Sequence, residues 1–226
     1  MNIDLYLAVR LRSLRGKTLV HVGAHGGEEA RKYETLGAAR VVWVEADPVM
    51  FRRLQANLDA AARRPPPLIA RILGFPRTRH IAVEALVGDE EGKTVEFRVF
   101  NNDGASSSIF ALHDNARARF AGLSETGEVR RLTMRRLDTV LAEAGVPPSE
   151  VHALVVDIQG AELLCLRGAE AALRAAELLE CEVSRIPIYE GGVLLDELSA
   201  WLKARGFTLA APVRQDHTDA VFRRTA

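Results

Sequence analysis

The sequence predicts an α/β fold: a mostly parallel sheet with helices on both faces. Three observations predict it. Short β-branched runs alternate with segments of helical periodicity along most of the chain. Turns rich in glycine or ending in an acid close several of those runs. The composition is that of a globular domain, with 226 residues of which 48% are hydrophobic, and repeats and low-complexity linkers are absent, so one domain over 1–226 is expected.

Ile3, Leu7, Leu11 and Leu14 share a helical face and Gly16 follows them, which predicts an N-terminal helix over residues 1–16. TLVHVG (18–23) reads as the first strand, EEARKYETLG (28–37) as a helix with Ala30, Tyr33 and Leu36 inward, and RVVWVEA (40–46) as the second strand. Asp47 is placed to cap the next helix, with Pro48 at its first position. Phe51, Leu54, Leu58 and Ala61 form its buried stripe, and RRPPP (63–67) ends it. The connection 68–79 is longer than usual, has room for a short helix, and is a candidate substrate-side or oligomer-side element.

HIAVEALV (80–87) reads as a third strand, and GDEEGKTVEFRVF (88–100) as a turn followed by an alternating strand. NNDGASSS (101–108) is a loop by composition, and 101–128 is a candidate lid. VRRLTMR (129–135) is strand-like, and LDTVLAEAG (137–145) is a helix with Asp138 as its expected N-cap and Gly145 as its stop. HALVVDIQGAE (152–162) is an apolar strand ending in an acid and a glycine turn, and the helix after it stops near Gly168. ELLECEVS (177–184) is another strand, Leu195, Leu198 and Leu202 mark a helix ending at Gly206, and 207–213 with 220–224 form a closing antiparallel pair. Crossovers between parallel strands are right-handed.

Thirty basic residues balance thirty acidic ones, so the chain has no global field of the kind that holds nucleic acid, and no nucleic-acid partner is expected. Arginine outnumbers lysine 26 to 4, which reads as base-composition bias rather than as a recognition device. Cys165 and Cys181 sit in apolar segments and read as buried free thiols. No stretch approaches the roughly 20 apolar residues of a membrane span. The expectation is a soluble cytoplasmic protein, with a homo-oligomer left open. None of the six histidines has metal-ligand spacing, and Asp157 with Glu182 lacks a named third oxygen donor, so no metal is expected.

In a sheet of this kind ligands bind beyond the carboxyl ends of the strands, where strand order reverses. VHVGAHGGEEA (20–30) lies at such an end, and Gly23, Gly26 and Gly27 let backbone approach a ligand closely. Glu45 ends the second strand 22 residues after Gly23, where a carboxylate accepts hydrogen bonds from both ribose hydroxyls. The dinucleotide fingerprint would need glycine at positions held by His25 and Glu28, which weakens an NAD-dependent oxidoreductase. An acid at 28 disfavours a pyrophosphate and suits a ligand with a cationic centre and an ammonium group, as in S-adenosylmethionine. The bland alternative is a tight turn with a solvated acid at 45.

Asp157 ends the strand next to the expected switch point, where it either orients an ammonium or acts as a base. Glu182 stands on the same rim, followed by Ser184 and Tyr189, and these shape a candidate acceptor pocket; Glu182 is equally readable as a cap or a structural ion pair. Glu162 suits either the first turn of its helix or the pocket wall. His21 reads as a satisfied core residue, His25 as a contact to the cofactor's amino-acid end, and His113 as a candidate base on the lid.

Taken together, VHVGAHGGEEARKY, VVWVEADP, ALVGDEEG, DGASSSI, RLDTVL, VVDIQGAELLCLRGA and ECEVS with PIYEGG resemble the FkbM family of S-adenosylmethionine-dependent methyltransferases over about residues 18–209. The resemblance implies a Rossmann-like methyltransferase sheet of seven strands, the last antiparallel, and O-methylation of a hydroxyl on a sugar, natural product or other small molecule. It implies that Gly23, Ala24, Gly26 and Gly27 touch the methionine half, Glu45 the ribose, and Ala46 with Glu84, Ala85 and Leu86 the adenine. It sets Asp157, Gly160 and Glu162 in the family's acid-glycine-acid stretch and Ser107 and Ser108 in a serine loop near the active site. Two positions depart from the pattern: Val155 stands where lysine is frequent, and Gln159 where an acid is common. A nucleic-acid methyltransferase using Arg130, Arg131, Arg135 and Arg136 is a weaker reading, since alternation along a strand splits those arginines between faces. A non-catalytic cofactor-binding protein is the remaining alternative.

Overall fold

A computed structural model describes residues 14–225. Most of the expected N-terminal helix therefore lies outside the described residues; Leu14 is buried and Arg15 bridges Ala38. The main sheet is built from β1 (Thr18–Val22), β2 (Arg40–Glu45), β3 (Arg79–Glu84), β7 (Val151–Val156), β8 (Leu178–Ser184), β9 (Phe207–Leu209) and β10 (His217–Arg224). Their spatial order is β3-β2-β1-β7-β8-β10-β9. The last strand runs antiparallel to both its neighbours, and it is inserted between β8 and β9 rather than added at the edge. The expected pair at 207–213 and 220–224 is thus a short β9 and a longer β10.

Period-two alternation divides the sheet between two cores. Leu19, Val41 and Trp43 face Tyr33 of α1 (Ala30–Thr35) and Leu54 and Leu58 of α2 (Pro48–Arg63). Val20, Val22, Val42, Val44, Leu154 and Val156 face the opposite layer. That layer is formed by α5 (Leu137–Glu143), α6 (Glu162–Arg167), α7 (Glu170–Ala175) and α8 (Leu195–Lys203). His21 belongs to the first core: Tyr33 Oη lies 3.1 Å from its Nδ1, and Trp43 stacks on its ring. Burial and the nearby Lys32 lower its pKa to about 3, so it is a neutral structural residue.

Local chemistry sets the helix ends. Asp47 caps α2 as expected, its carboxylate accepting from the Val49 N–H at 2.7 Å, with Pro48 at the first position. Asp138 does not cap its own helix; α5 begins at Leu137. Its carboxylate instead accepts from the Ala171 and Ala172 amides, capping α7 across the interface, a partner that local spacing does not reveal.

The segment 80–87 is two strands rather than one. Ala85 makes the last rung on Glu45, and then β4 (Leu86–Val87) leaves the main sheet to pair with β6 (Glu125–Arg135). Together with β5 (Thr94–Phe100) they form a second, three-stranded sheet ordered β4-β6-β5. The 68–79 connection, read as a candidate substrate-side element, carries α3 (Leu68–Ile72) and returns against Ala38 and Ala39, which precede β2. It therefore sits at the amino ends of the strands, opposite the ligand rim. The 101–123 segment, including α4 (Asp114–Arg119), lies over the carboxyl ends and shares a satellite core of Phe100, Leu112, Ala116, Ile188 and Tyr189.

Candidate functional site

Strand order reverses at β1, whose neighbours are β2 and β7, and a cleft opens at the carboxyl ends there. Its floor is Gly23, with a φ of +83°. A Cβ at this position would stand 1.7 Å from the Asp157 carbonyl oxygen, so β1 and β7 approach more closely here than any other residue allows.

Glu45 forms the opposite wall and is only 7% exposed. Its Oε2 accepts from the His25 N–H and its Oε1 from the Asp47 N–H, each at 2.7 Å. Each oxygen keeps a further lone pair, so the carboxylate is fixed in place and still able to accept from a diol. Burial raises its pKa, and those two amides act against that rise. His25 itself adopts φ +45°, and its ring spans two loops, Nδ1 3.1 Å from Glu28 Oε1 and Nε2 3.0 Å from the Asp103 carbonyl. Burial lowers its pKa, but the two acceptors outweigh it and the net shift is upward. The ring thus clasps the glycine loop to the 101–108 loop.

The cleft brings together Gly23, His25, Glu45, Ala46, Ala85, Leu86, Ser107, Ser108 and Asp157 of the sequence-derived set. Ala24, Gly26, Gly27, Glu28 and Glu84 do not line it. Gly27 faces Leu54 of α2, Gly26 accepts from Asn57, and Glu28 turns to His25 ahead of the start of α1. Ser108 lines the cleft but donates its hydroxyl proton to the Gln159 carbonyl at 2.7 Å and accepts from the Phe110 N–H, so it ties the walls together. Met50, Val87, Phe97 and Ile109 complete an apolar wall that the spacing of motifs did not single out. Phe97 belongs to β5, which only the second sheet brings here.

A smaller, narrow hollow adjoins the β7–α6 turn and gathers Gly160, Glu162, Glu182, Ser184 and Tyr189. Glu162 is 1% exposed, and its Oε1 accepts from the Ile158 and Gly160 amides at 3.1 Å. Burial, with Glu182 nearby, raises its pKa to about 7. Burial and the Glu182 and Glu162 charges likewise raise that of Asp157 well above the usual carboxyl value. Gln159, at φ +57°, joins the two hollows: its amide donates to Asp157 Oδ1 at 2.6 Å, and its Oε1 accepts from Tyr189 Oη at 2.7 Å. A glutamate there could not donate to Asp157. His217, which sequence reading passed over, also lines this hollow. His113 lines neither; it precedes α4, its N–H donating to the Ile188 carbonyl.

Of the four arginines at 130, 131, 135 and 136, three are drawn into the fold, and Arg131 is exposed on β6. Arg130 pairs with Asp47 and Glu128, Arg135 with Glu91 and Glu143, and Arg136 donates to the Asp89 and Arg167 carbonyls. Among the described residues no cluster of three or more His, Cys, Asp or Glu side chains is arranged to hold a metal. No helix among them is long and apolar enough to cross a membrane.

The strand order and the cleft lined by Gly23, Glu45 and Asp157 at the carboxyl ends of β1, β2 and β7 define an α/β protein with a ligand site at the switch point. The chain belongs to the methyltransferase FkbM domain family, whose model matches residues 21–209. It is similar to 2-O-methyltransferase NoeI of Sinorhizobium fredii, 26% identical over 179 residues, covering 76% of this chain and 65% of NoeI. It resembles the crystal structure of methyltransferase FkbM from Methylobacillus flagellatus KT at a TM-score of 0.54 and 16% identity, over 92% of this chain and 43% of that one. It also resembles magnesium protoporphyrin IX methyltransferase (ChlM) from Synechocystis PCC 6803 with bound SAM, at a TM-score of 0.50 and 9% identity, over 99% of this chain and 76% of that one. The chain thus spans just under two thirds of the curated relative. The two structural likenesses show the fold, a Rossmann-like sheet with one antiparallel strand.

Proposed function

We propose that the protein is an S-adenosylmethionine-dependent O-methyltransferase acting on a hydroxyl of a sugar or another small molecule. The observation that carries this reading is Glu45, fixed by two backbone amides across the cleft from Asp157. Family membership and the similarity to a 2-O-methyltransferase support it.

The cleft fits the cofactor in three respects. Glu45 is a rigid acceptor for the ribose diol. Ala46, Ala85, Leu86, Val87 and Phe97 supply an apolar slot for a flat base. Burial, and after it repulsion from Glu182 and Glu162, pushes the pKa of Asp157 up, and a cation seated beside it would favour its charged form. When bound, S-adenosylmethionine supplies a methyl carbon that bonds to the acceptor oxygen as its bond to sulfur breaks. The chain's own residues hold both partners in line, exclude water and receive the hydroxyl proton.

Calorimetry with S-adenosylhomocysteine is the first test, and folded protein that shows no binding would sink the reading. Incubation with radiolabelled cofactor and a panel of methyl glycosides then tests the acceptor class, with label expected in a sugar methyl ether.

A further inference from the structure

The second hollow holds an arrangement that the proposed activity does not yet explain. Ser184 ends β8, and its Oγ lies 2.7 Å from Nδ1 of His217, the first residue of β10. On the far side of the ring, Nε2 lies 3.0 Å from Glu182 Oε1. The antiparallel register makes His217 the direct partner of Ser184 across the ladder, so backbone pairing fixes the contact. A ring nitrogen facing a carboxylate carries the proton, so Nε2–H donates to Glu182 and Nδ1 is left to accept the Ser184 hydroxyl proton. All three residues line the hollow beside Tyr189, Val193 and Leu194.

We propose that Ser184, His217 and Glu182 form a proton relay that deprotonates the acceptor hydroxyl, with the acceptor seated in the hollow between Tyr189 and Ser184. The inference rests on the methyltransferase reading above. As the acceptor oxygen loses its proton to Ser184 Oγ, Ser184 passes its own proton to His217 Nδ1. The imidazolium then formed is held by Glu182, and charge balances because the proton lost by the acceptor is the one gained by the ring. Ser184 is the catalytic residue of the three, since it alone touches the acceptor; His217 and Glu182 act through it.

The surroundings favour a ring that takes up a proton. Glu182 faces it from β8, Glu162 from α6 and Asp219 from its own strand, while Asp216 next door is paired with Arg119 of α4. The hydrogen bond that His217 Nε2–H donates to Glu182 raises the pKa of His217 above 6.5 against the lowering effect of burial, so neutral base accumulates only above that pH.

The relay is testable without knowing the acceptor, because it activates the Ser184 hydroxyl towards any small electrophile that enters the hollow. With diisopropyl fluorophosphate, the Ser184 oxygen bonds to phosphorus, fluoride leaves and the hydroxyl proton passes to His217. Mass spectrometry is expected to find the adduct on Ser184, formed at a rate that rises with pH through a midpoint above 6.5. H217Q is expected to slow labelling about 100-fold, the usual size of a general-base contribution. E182Q is expected to lower the midpoint of Ser184 labelling, whereas an ion pair that does not act through Ser184 would leave the labelling rate unmoved. Absence of the adduct in the unaltered protein, equal rates in H217Q, or a midpoint unmoved in E182Q would each overturn the relay. Calorimetry with S-adenosylhomocysteine on the same samples separates the two readings: retained cofactor binding without Ser184 labelling sinks the relay alone.

Discussion

The substitution Glu45→Gln is nearly isosteric and isolates what the cleft asks of this position. Glu45 accepts two amides, one on each oxygen, at 2.7 Å. A glutamine keeps one acceptor and turns an NH2 group towards the other amide, so a donor faces a donor at a residue only 7% exposed. Losing one hydrogen bond to a charged group costs about 1.5–3 kcal/mol, and the stranded amide adds a desolvation penalty of similar order. Relief of the buried charge acts the other way, so a net loss of about 2–4 kcal/mol is expected. Because the two amides belong to His25 and Asp47, one of the two loops that Glu45 ties to the cleft should loosen. Urea unfolding followed by tryptophan fluorescence reads the first effect through buried Trp43 in β2. Calorimetry with S-adenosylhomocysteine reads the second, with affinity expected to fall at least tenfold, equivalent to about 1.4 kcal/mol. An E45Q protein as stable as the original within about 0.5 kcal/mol and binding equally well would show that the amides do not organise the site.

Three further substitutions probe the same rim, with Gly16→Ala at the opposite end of β1 as a control. Gly23→Ala drives a Cβ to 1.7 Å from a backbone oxygen at φ +83°, whereas Gly16→Ala at φ +75° meets nothing within 4 Å. Urea midpoints should therefore give a loss of roughly 3 kcal/mol or more for the first and about 1 kcal/mol for the second, and equal losses would refute the close approach. Glu162 has a folded pKa of about 7 against 4.5 for the free group, so the folded state holds the proton more tightly. Stability should then fall as pH rises from about 4.5 to 7, by up to about 3 kcal/mol, and Glu162→Gln should flatten that slope while keeping an oxygen for the Ile158 and Gly160 amides. A slope unchanged in this variant would mean that the proton sits elsewhere. Gln159→Glu removes the donor to Asp157 and adds a charge beside it, so it should destabilise by about 1–2 kcal/mol more at pH 8 than at pH 5 in the same assay. A pH-independent effect would assign the loss to geometry instead of charge.

What could be read from sequence and what could not divide along the range of the interactions. β1, β2, the capped start of α2 and the acid ending β7 are written in neighbouring residues: β-branched runs, an Asp-Pro pair, an acid before a glycine turn. Gly23, Glu45 and Asp157 follow from those strands, because a residue at a carboxyl end next to the switch point has one direction in which to face. Contacts between distant segments have no such local signature. Asp138 caps a helix more than thirty residues away, and Ala85 is where a continuous apolar run divides between two sheets. Gly26 and Gly27 have the composition of a ligand loop, yet the neighbours Asn57 and Leu54 account for them.

His217 shows the limit most clearly. In RQDHTDAVFRR it has no spacing that suggests chemistry, and it lies 33 residues from Ser184 and 35 from Glu182. Only the antiparallel insertion of β10 beside β8 sets all three in line. Had β10 been added at the sheet edge beyond β9, Glu182 would have faced β9, with no imidazole within reach. The reversed strand of the main sheet therefore sets an imidazole beside an acid on the rim, and in the proposed relay the position of that strand, rather than any motif, is what the proton transfer depends on.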